Sequence, residues 1–411
     1  MRTTRFVSAI GPGLLAGLFL ALASPARAQD AQILGVPDYT WYAGCFGTAC
    51  GNLMGFWDRN GLPDFYTGPT GGGLAPLNNC SNSVVNNMGI RSMWASKAGL
   101  DGRPANRRGH IDDYWAAYTI EYFNCGRADT FSYESTAFDA YVRSNLTEHA
   151  ADCLGDFIGL SQKKYTNMNG ECDGNLDAYC FVYWQSNGQR RVNFTNAVDM
   201  QSGLKAWAKW RGYDADVFTQ LTEFNPHVPP GTGFTWENLK AEIDAGYPLL
   251  LFLQNSNQTY RLAGSTRVNP DIHGVLAYGY EEDLAFGVRF VYIRTSWGSG
   301  EGVYQSWDAG PWLGLTGPEL HVRGVIGFHP RPRIRSVSRS GGNLTVSWEG
   351  PSAQLSTQTG TRLPHMYQLE RSPTLQPPAF VSVGPKTTSR TMTVPDSDGA
   401  MAFYRVKLLG P

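Results

Sequence analysis

Apolar residues near the start of the chain recur at helical spacing. Between residues 45 and 58, Ala49, Leu53, Phe56 and Trp57 fall at i, i+4, i+7 and i+8. This period places the four side chains on one face of a helix. The pattern therefore predicts a helix over 45–58 that buries one face.

Helical spacing returns near Tyr133–Leu146 and Asn196–Trp210. A further helix is expected between Thr235, whose hydroxyl suits an N-cap, and Gly246, which suits the C-terminal end. Its apolar face consists of Trp236, Leu239 and Ile243.

The pattern changes to that of strands after this helix. Runs of apolar residues are now separated by turns that contain Gly, Asp and Pro. The predicted strands are Tyr247–Leu253, Val275–Tyr280, Arg289–Ile293, Gly302–Trp307 and His321–Phe328. A helical first half followed by an antiparallel second half predicts α+β architecture.

The last 80 or so residues have a pattern of their own. His329–Arg333 contains two prolines and is interpreted as a linker. Beyond it, short alternating segments follow one another, with Gly341-Gly342 as a hairpin turn. The expected strands contain Leu344/Val346/Trp348, Tyr367/Leu369, Val381/Val383, Met392/Val394 and Tyr404/Val406/Leu408. This spacing predicts a small all-β sandwich over 334–411.

The N-terminus has the three parts of an export signal. Arg2 and Arg5 precede an apolar run, Ile10–Ala23, and the triplet Ala26-Arg27-Ala28 resembles a signal-peptidase site. The predicted divisions are a signal peptide over 1–28, a main domain over 29–330 and the sandwich. The mature chain is expected to be secreted or periplasmic, with no membrane span.

Charge and composition narrow the partners. The net charge of −1 gives no basic surface for nucleic acid. Aromatic residues make up 13% and charged residues 17%, which favours a compact folded protein over a disordered one. Asp173–Asp177 lacks the sixth-position Gly and the closing Glu of a calcium loop, so we interpret it as a surface turn. No pattern predicts a cofactor or a metal.

The cysteine count suggests a free thiol. There are 7 cysteines, and an exported protein usually pairs them, so one is left over. Cys45 is the candidate, although a Cys45–Cys50 bond stays open in spite of its poor geometry within a helix. Disulfide bonds are expected among Cys50, Cys80, Cys125, Cys153, Cys172 and Cys180.

A cysteine at a helix start suits nucleophilic chemistry. The helix dipole and a nearby imidazolium both lower a thiol pKa, and the helix-start N–H groups can face an oxyanion. His273 begins an apolar strand and is the best candidate for the base. His110, with Asp112 and Asp113 beside it, is the alternative.

These residues stand in sequences that resemble a known family. The segment from Val36 through Gly44-Cys45-Phe-Gly-Thr-Ala49 to Asp58 is similar to the bacterial peptidase C39-like family, a branch of the papain superfamily. So are three further segments, Gly109–Trp115, Ala151–Asp156 and Leu239–Gly246 leading to His273-Gly-Val. Ser296-Trp297-Gly298 matches part of the papain Asn-Ser-Trp-Gly motif. The resemblance implies a papain-like domain over about 36–328, with a peptide or protein substrate.

The resemblance also implies roles, with two departures. Cys45 would be the nucleophile and His273 the base. Thr295 stands where Asn or Asp orients the histidine, and its hydroxyl would be a weaker stand-in for that side chain. Tyr39 stands near the position of the oxyanion glutamine. A missing oxyanion donor costs about 10²–10³ in turnover, and a missing orienter up to about 10⁴. The sequence therefore supports a cysteine peptidase-like hydrolase. The alternatives are amide hydrolysis of cell-wall peptides by the same chemistry, and a binding or structural protein that keeps the peptidase fold.

Overall fold

The structure is a computed structural model. It describes residues 29–39, 45–66, 74–75, 77, 154–158, 200–225, 228–229, 231–255, 272–283, 285–296, 303–307, 320–396 and 402–409. The predicted signal peptide and the expected helix over 133–146 lie outside these ranges.

Helix α1, Cys45–Arg59, begins where the sequence predicts. The structure corrects its environment, because Cys50 and Asn52 are as deeply buried as Leu53 and Phe56. The helix is thus enclosed on nearly every side. Its small residues, such as Gly55, allow other parts of the chain to lie close to the helix backbone.

Three further helices are described, α2 Leu154–Ile158, α3 Met200–Trp210 and α4 Trp236–Asp244. The predicted cap of α4 is confirmed: Thr235 Oγ1 accepts from the N–H of Asn238, and Asn238 Oδ1 accepts from the N–H of Thr235. This reciprocal pair is a capping box. Gly246 follows the helix with a φ of +81°, a conformation that favours glycine.

Seven strands carry the first part of the sheet: β1 Gln29–Ile33, β2 Ala215–Leu221, β3 Leu249–Asn255, β4 Ile272–Asp283, β5 Val288–Arg294, β6 Val303–Ser306 and β7 Leu320–Pro330. The five strands predicted after Gly246 are all present, with ends displaced by a few residues. β7 also runs into the segment that was interpreted as a linker.

The C-terminal strands are β8 Arg333–Ser340, β9 Asn343–Glu349, β10 Leu355–Thr357, β11 Gly360–Arg362, β12 Met366–Ser372, β13 Val381–Ser382, β14 Thr391–Pro395 and β15 Phe403–Leu409. The predicted hairpin at Gly341-Gly342 joins β8 to β9, and both glycines have positive φ. β7 and β8 are separated by two residues, one of which is Arg331. Its guanidinium pairs with Asp214 and Asp216, so the predicted linker is held against the sheet.

The main sheet has nine strands within the described residues, in the order β11-β10-β1-β4-β3-β7-β2, with β5 paired to β4 and β6 paired to β5. Every paired strand is antiparallel to its neighbour. Strand β4 is central, since β3 pairs with its first half, β1 with its second half, and β5 with residues 276–283. The described molecule is therefore mostly antiparallel sheet with few helices.

Two strands of the sheet come from the predicted sandwich region. β10 pairs with β1, and Ala353 and Leu355 are buried in the core of the main sheet. The other C-terminal strands form two three-stranded sheets, β13-β12-β15 and β14-β9-β8. These two sheets share a separate core of Leu344, Val346, Trp348, Tyr367, Leu369, Met392 and Val394.

The two cores meet at a contact that we call the joint, formed by Leu34, Asn60 and Gly61 with Gly350, Ser352, Gln354 and His365. Three main-chain hydrogen bonds cross it: Leu34 N–H to Gln354 O, Gly350 N–H to Gly61 O and Ser352 N–H to Asn60 O. His365 is buried there, with its ring 5.2 Å from that of Tyr247 and 6.1 Å from that of Trp57. None of the described helices is long and apolar enough to cross a membrane.

Candidate functional site

Cys45 is the first residue of α1. The N–H groups of a first helical turn have no partner within the helix, and the helix dipole is positive at this end. A backbone position of this kind stabilises a thiolate and an oxyanion. The side chain of Cys45 lies outside the part of the chain that the structure describes.

Phe46 brings this end of α1 against the start of β4. Its ring packs on Phe252 of β3, with 4.6 Å between the ring centroids. It also fills the space in front of Gly274, where a Cβ atom would lie 2.5 Å from the ring. Since Cys45 precedes Phe46 and His273 precedes Gly274, the two predicted catalytic positions belong to segments that are in contact.

His273 is buried, with 5% of its surface exposed. Its Nε2 lies 2.7 Å from the main-chain carbonyl oxygen of Thr295. A carbonyl oxygen only accepts hydrogen bonds, so Nε2 carries a proton whether the ring is neutral or charged. In the neutral ring the basic lone pair is consequently on Nδ1.

This contact revises the role of Thr295. The sequence suggested that the threonine hydroxyl stands in for the usual orienting side chain, whereas the atom that accepts from Nε2 belongs to the main chain. Burial lowers the pKa of His273 to about 4, and the hydrogen bond that the ring donates to the carbonyl oxygen of Thr295 opposes that shift in part. The ring is therefore neutral near pH 7, the state that a general base requires.

Ser296 was part of the sequence motif but had no role assigned to it. It is fully buried, and its φ of +68° is rare for a residue with a side chain. Its Oγ donates to the carbonyl oxygen of Gly274 over 3.0 Å. A backbone of this kind costs about 1–3 kcal/mol and clusters at functional sites. A serine in the sequence gives no sign that its φ is positive, so this conformation is visible only in the structure.

Tyr39 makes its contacts far from the start of α1. Its N–H donates to Asn52 Oδ1 over 2.8 Å, and a Cβ atom on Gly55 would lie 2.5 Å from its hydroxyl oxygen. These contacts lie about 10–15 Å along α1 from Cys45, at a rise of about 1.5 Å per residue. Burial raises the pKa of Tyr39, and the negative charge of Asp58 adds to that increase. Tyr39 is part of the core on the far half of the helix.

The cysteine argument changes as well. Cys50 is a buried free thiol, with its Sγ 3.5 Å from Met200 Sδ. Burial raises its pKa, so this thiol is inert. The prediction that Cys50 joins a disulfide is wrong. With Cys50 unpaired, six cysteines remain, and an odd count no longer singles out Cys45.

Several predicted features lie outside the described residues: His110 with Asp112 and Asp113, the turn Asp173–Asp177, Trp297, and the cysteines beyond Cys50. Among the residues that are described, no group of three His, Cys, Asp or Glu side chains is arranged to hold a metal ion.

No family model, no curated protein and no solved structure matches this chain.

Proposed function

We propose that this chain is an exported cysteine hydrolase of the papain type, related to the C39-like peptidases, that cleaves peptide or amide bonds with Cys45 and His273. The observation that carries the proposal is the 2.7 Å contact between His273 Nε2 and Thr295 O. This contact defines which ring nitrogen of His273 is basic. The next residue of the strand, Gly274, touches the helix that Cys45 begins.

The proposed reaction has two halves. Nδ1 of His273 takes the thiol proton of Cys45 while the sulfur attacks the substrate carbonyl carbon, and N–H groups at the start of α1 bind the oxyanion. The imidazolium then protonates the leaving amine, which departs and leaves an acyl-enzyme. A water molecule deprotonated by His273 attacks the acyl group, and the thiol is restored with release of the acid.

The main-chain carbonyl of Thr295 has the orienting role in this scheme. It keeps the proton on Nε2 in every step, as an Asn or Asp side chain does in related enzymes. A carbonyl has only a partial negative charge, so it stabilises the imidazolium less than a carboxylate does. We therefore expect a slow enzyme.

A binding protein that keeps the peptidase fold is the second candidate. The observation in its favour is the burial of His273, which lowers its pKa to about 4 and thus disfavours the imidazolium that the reaction passes through. The buried position of Tyr39 points in the same direction.

Alkylation of Cys45 separates the two candidates. The folded protein is treated with iodoacetamide between about pH 5 and pH 9, and the Cys45 peptide is quantified by mass spectrometry. An unperturbed thiol has a pKa near 8.5. If His273 acts as its base, Cys45 reacts near pH 6.5 at least about tenfold faster than such a thiol.

Two matched histidine variants complete this experiment. His273→Gln keeps an N–H donor for Thr295 but removes the base, so the excess rate near pH 6.5 disappears. His365→Asn changes a buried histidine at the joint and leaves the rate as it is. Equal profiles in the wild type and His273→Gln would exclude the hydrolase. Cleavage of a labelled casein, lost in Cys45→Ala, is the corresponding activity assay.

A further inference from the structure

The orientation of His273 depends on the path of the main chain after β5. A side-chain orienter can rotate independently of the backbone, whereas the carbonyl of Thr295 points where the torsions around residues 295 and 296 direct it. Whatever fixes this turn therefore fixes the imidazole. β5 ends at Arg294, so strand pairing does not extend to these two residues.

Two hydrogen bonds link the turn to the start of β4. His273 Nε2 donates to the carbonyl oxygen of Thr295 over 2.7 Å, and Ser296 Oγ donates to the carbonyl oxygen of Gly274 over 3.0 Å. The first bond is donated from β4 to the turn and the second from the turn to β4, and they join consecutive residues on each side. Together they close a ring in which neither segment can shift without breaking a bond.

The conformation of Ser296 indicates that its hydroxyl is needed. At a φ of +68°, glycine is the residue that fits without strain. A serine there keeps the strain and adds one donor, and that donor is used on Gly274. The residue is also fully buried, so solvent does not compete for the hydroxyl.

We propose that Ser296 is a positioning residue, which holds the carbonyl of Thr295 on His273 and so fixes the imidazole as the tautomer protonated on Nε2. The proposal rests on the proposed hydrolase for its purpose. The tautomer of His273 and its dependence on Ser296 can both be measured without a substrate.

Nitrogen-15 NMR of histidine-labelled protein reads the tautomer of His273 directly. In the wild type we expect Nε2–H alone, with slow exchange of that proton. Ser296→Ala and Ser296→Gly both remove the hydroxyl, and the glycine variant also relieves the strain. In both, a second tautomer becomes visible and proton exchange accelerates about fivefold, the effect of losing one hydrogen bond.

Two other variants serve as comparisons. Ser372→Ala removes another buried serine hydroxyl that donates to a main-chain carbonyl, in the C-terminal unit, and leaves His273 unchanged. Thr295→Val keeps the carbonyl and is expected to keep the tautomer. If Ser296→Gly retains the wild-type tautomer and exchange rate, or if Thr295→Val loses the tautomer, the proposal is overturned.

The alkylation profile of Cys45 distinguishes this proposal from the proposed function. If the tautomer of His273 changes in the Ser296 variants but Cys45 has the alkylation profile of an ordinary thiol, the hydrolase is rejected and the positioning role of Ser296 is retained. If Cys45 is reactive in a way that depends on His273 but the tautomer does not change in the Ser296 variants, the positioning role is rejected and the hydrolase is retained. Ser296→Gly serves if Ser296→Ala does not fold, because it removes the strain.

Discussion

Among the histidines that the structure describes, two are deeply buried, and they lie in different parts of the molecule. His273 is at the start of β4, beside the segment that touches the start of α1. His365 is at the joint, in the turn between β11 and β12, against the rings of Trp57 and Tyr247. Their exposed fractions are 5% and 3%, so burial alone does not distinguish them.

The direction of their hydrogen bonds does distinguish them. At His365, Nδ1 accepts from the N–H of Ala353 over 3.2 Å. That bond occupies the lone pair of the neutral ring. At His273, the bond to Thr295 uses the ring proton and not the basic nitrogen. Both neutral rings are thus protonated on Nε2, but His365 makes its bond through the lone pair on Nδ1 and His273 makes its bond through the proton on Nε2.

This difference shows that two buried histidines can be held in opposite ways, one through a ring lone pair and one through a ring proton. A donor that bonds to Nδ1 occupies the basic lone pair, so the ring cannot act as a base while this hydrogen bond is made. An acceptor aimed at Nε2 fixes the tautomer and prepares the other nitrogen for proton transfer. Neither distinction is visible in the degree of burial.

The largest effect expected from the comparison is a loss of stability in acid. Burial lowers the pKa of His365 to about 3, with the charge of His329 as a smaller cause, and lowers that of His273 to about 4. The unfolded chain, with an ordinary histidine pKa near 6.5, takes up these protons first. Stability present above pH 6.5 is therefore lost as the pH falls, by about 2 kcal/mol per histidine at pH 5.

Urea unfolding near pH 7.5 and pH 5 measures this loss. His365→Asn keeps an acceptor for Ala353 and cannot titrate, so it should recover about half of the loss that the histidines cause. His273→Gln recovers the other half. If the two variants have the same pH dependence as the wild type, neither histidine is buried in the neutral form. Glu242 and His329, which pair over 2.6 Å beside the joint, are unchanged in both variants.

A smaller loss of stability is expected when the glycine that lies close to each histidine is replaced by alanine. A Cβ on Gly274 would lie 2.5 Å from the ring of Phe46, and a Cβ on Gly246 would lie 2.6 Å from Pro364 and 3.0 Å from His365. Each Gly→Ala change should destabilise the fold by about 1–3 kcal/mol. Gly274→Ala should also slow alkylation of Cys45, because it displaces Phe46.

Urea midpoints and Cys45 alkylation rates, measured on both glycine variants, test the separation of the two regions. Gly246→Ala is expected to lower the midpoint and leave the alkylation rate as it is. An equal loss of Cys45 reactivity in both variants would mean that the joint and the candidate site are coupled.

The smallest effect concerns a hydroxyl beside the joint. Tyr213 OH lies 2.8 Å from Pro63 O and 2.9 Å from Glu349 Oε2, and its single proton serves one of them at a time. Glu349 keeps its 2.5 Å ion pair with Arg335 when the hydroxyl is removed. Tyr213→Phe should therefore cost about 1 kcal/mol in urea unfolding. A loss several times larger would show that the carboxylate depends on Tyr213.

Local features of the fold were predictable because their causes are local. The N-cap at Thr235 and the hairpin at Gly341-Gly342 each arise within a few residues of chain. The start of α1 and the strand that follows His273 were visible in the spacing of apolar residues. Such signals depend on the side chain at each position and its nearest neighbours.

Features that depend on distant parts of the chain were not predictable. Apolar spacing marked one face of α1 but gave no sign that the face with Cys50 would also be covered. Alternation in the C-terminal region predicted strands, not that β10 would pair with β1. The orienting group of His273 escaped prediction for a different reason: every residue has a carbonyl, so the sequence contains no signal for the one that matters.

The pairing of β1 has a consequence for the order in which the protein forms. Ala31 is opposite both Tyr280 of β4 and Thr357 of β10. The sheet edge at β1 therefore stays open until residues 355–357 pair with it, and pairings so distant along the chain form slowly. An open strand edge invites pairing with other chains. A chain truncated before residue 355 is thus expected to need a chaperone, whereas a chain that contains β10 covers that edge by itself.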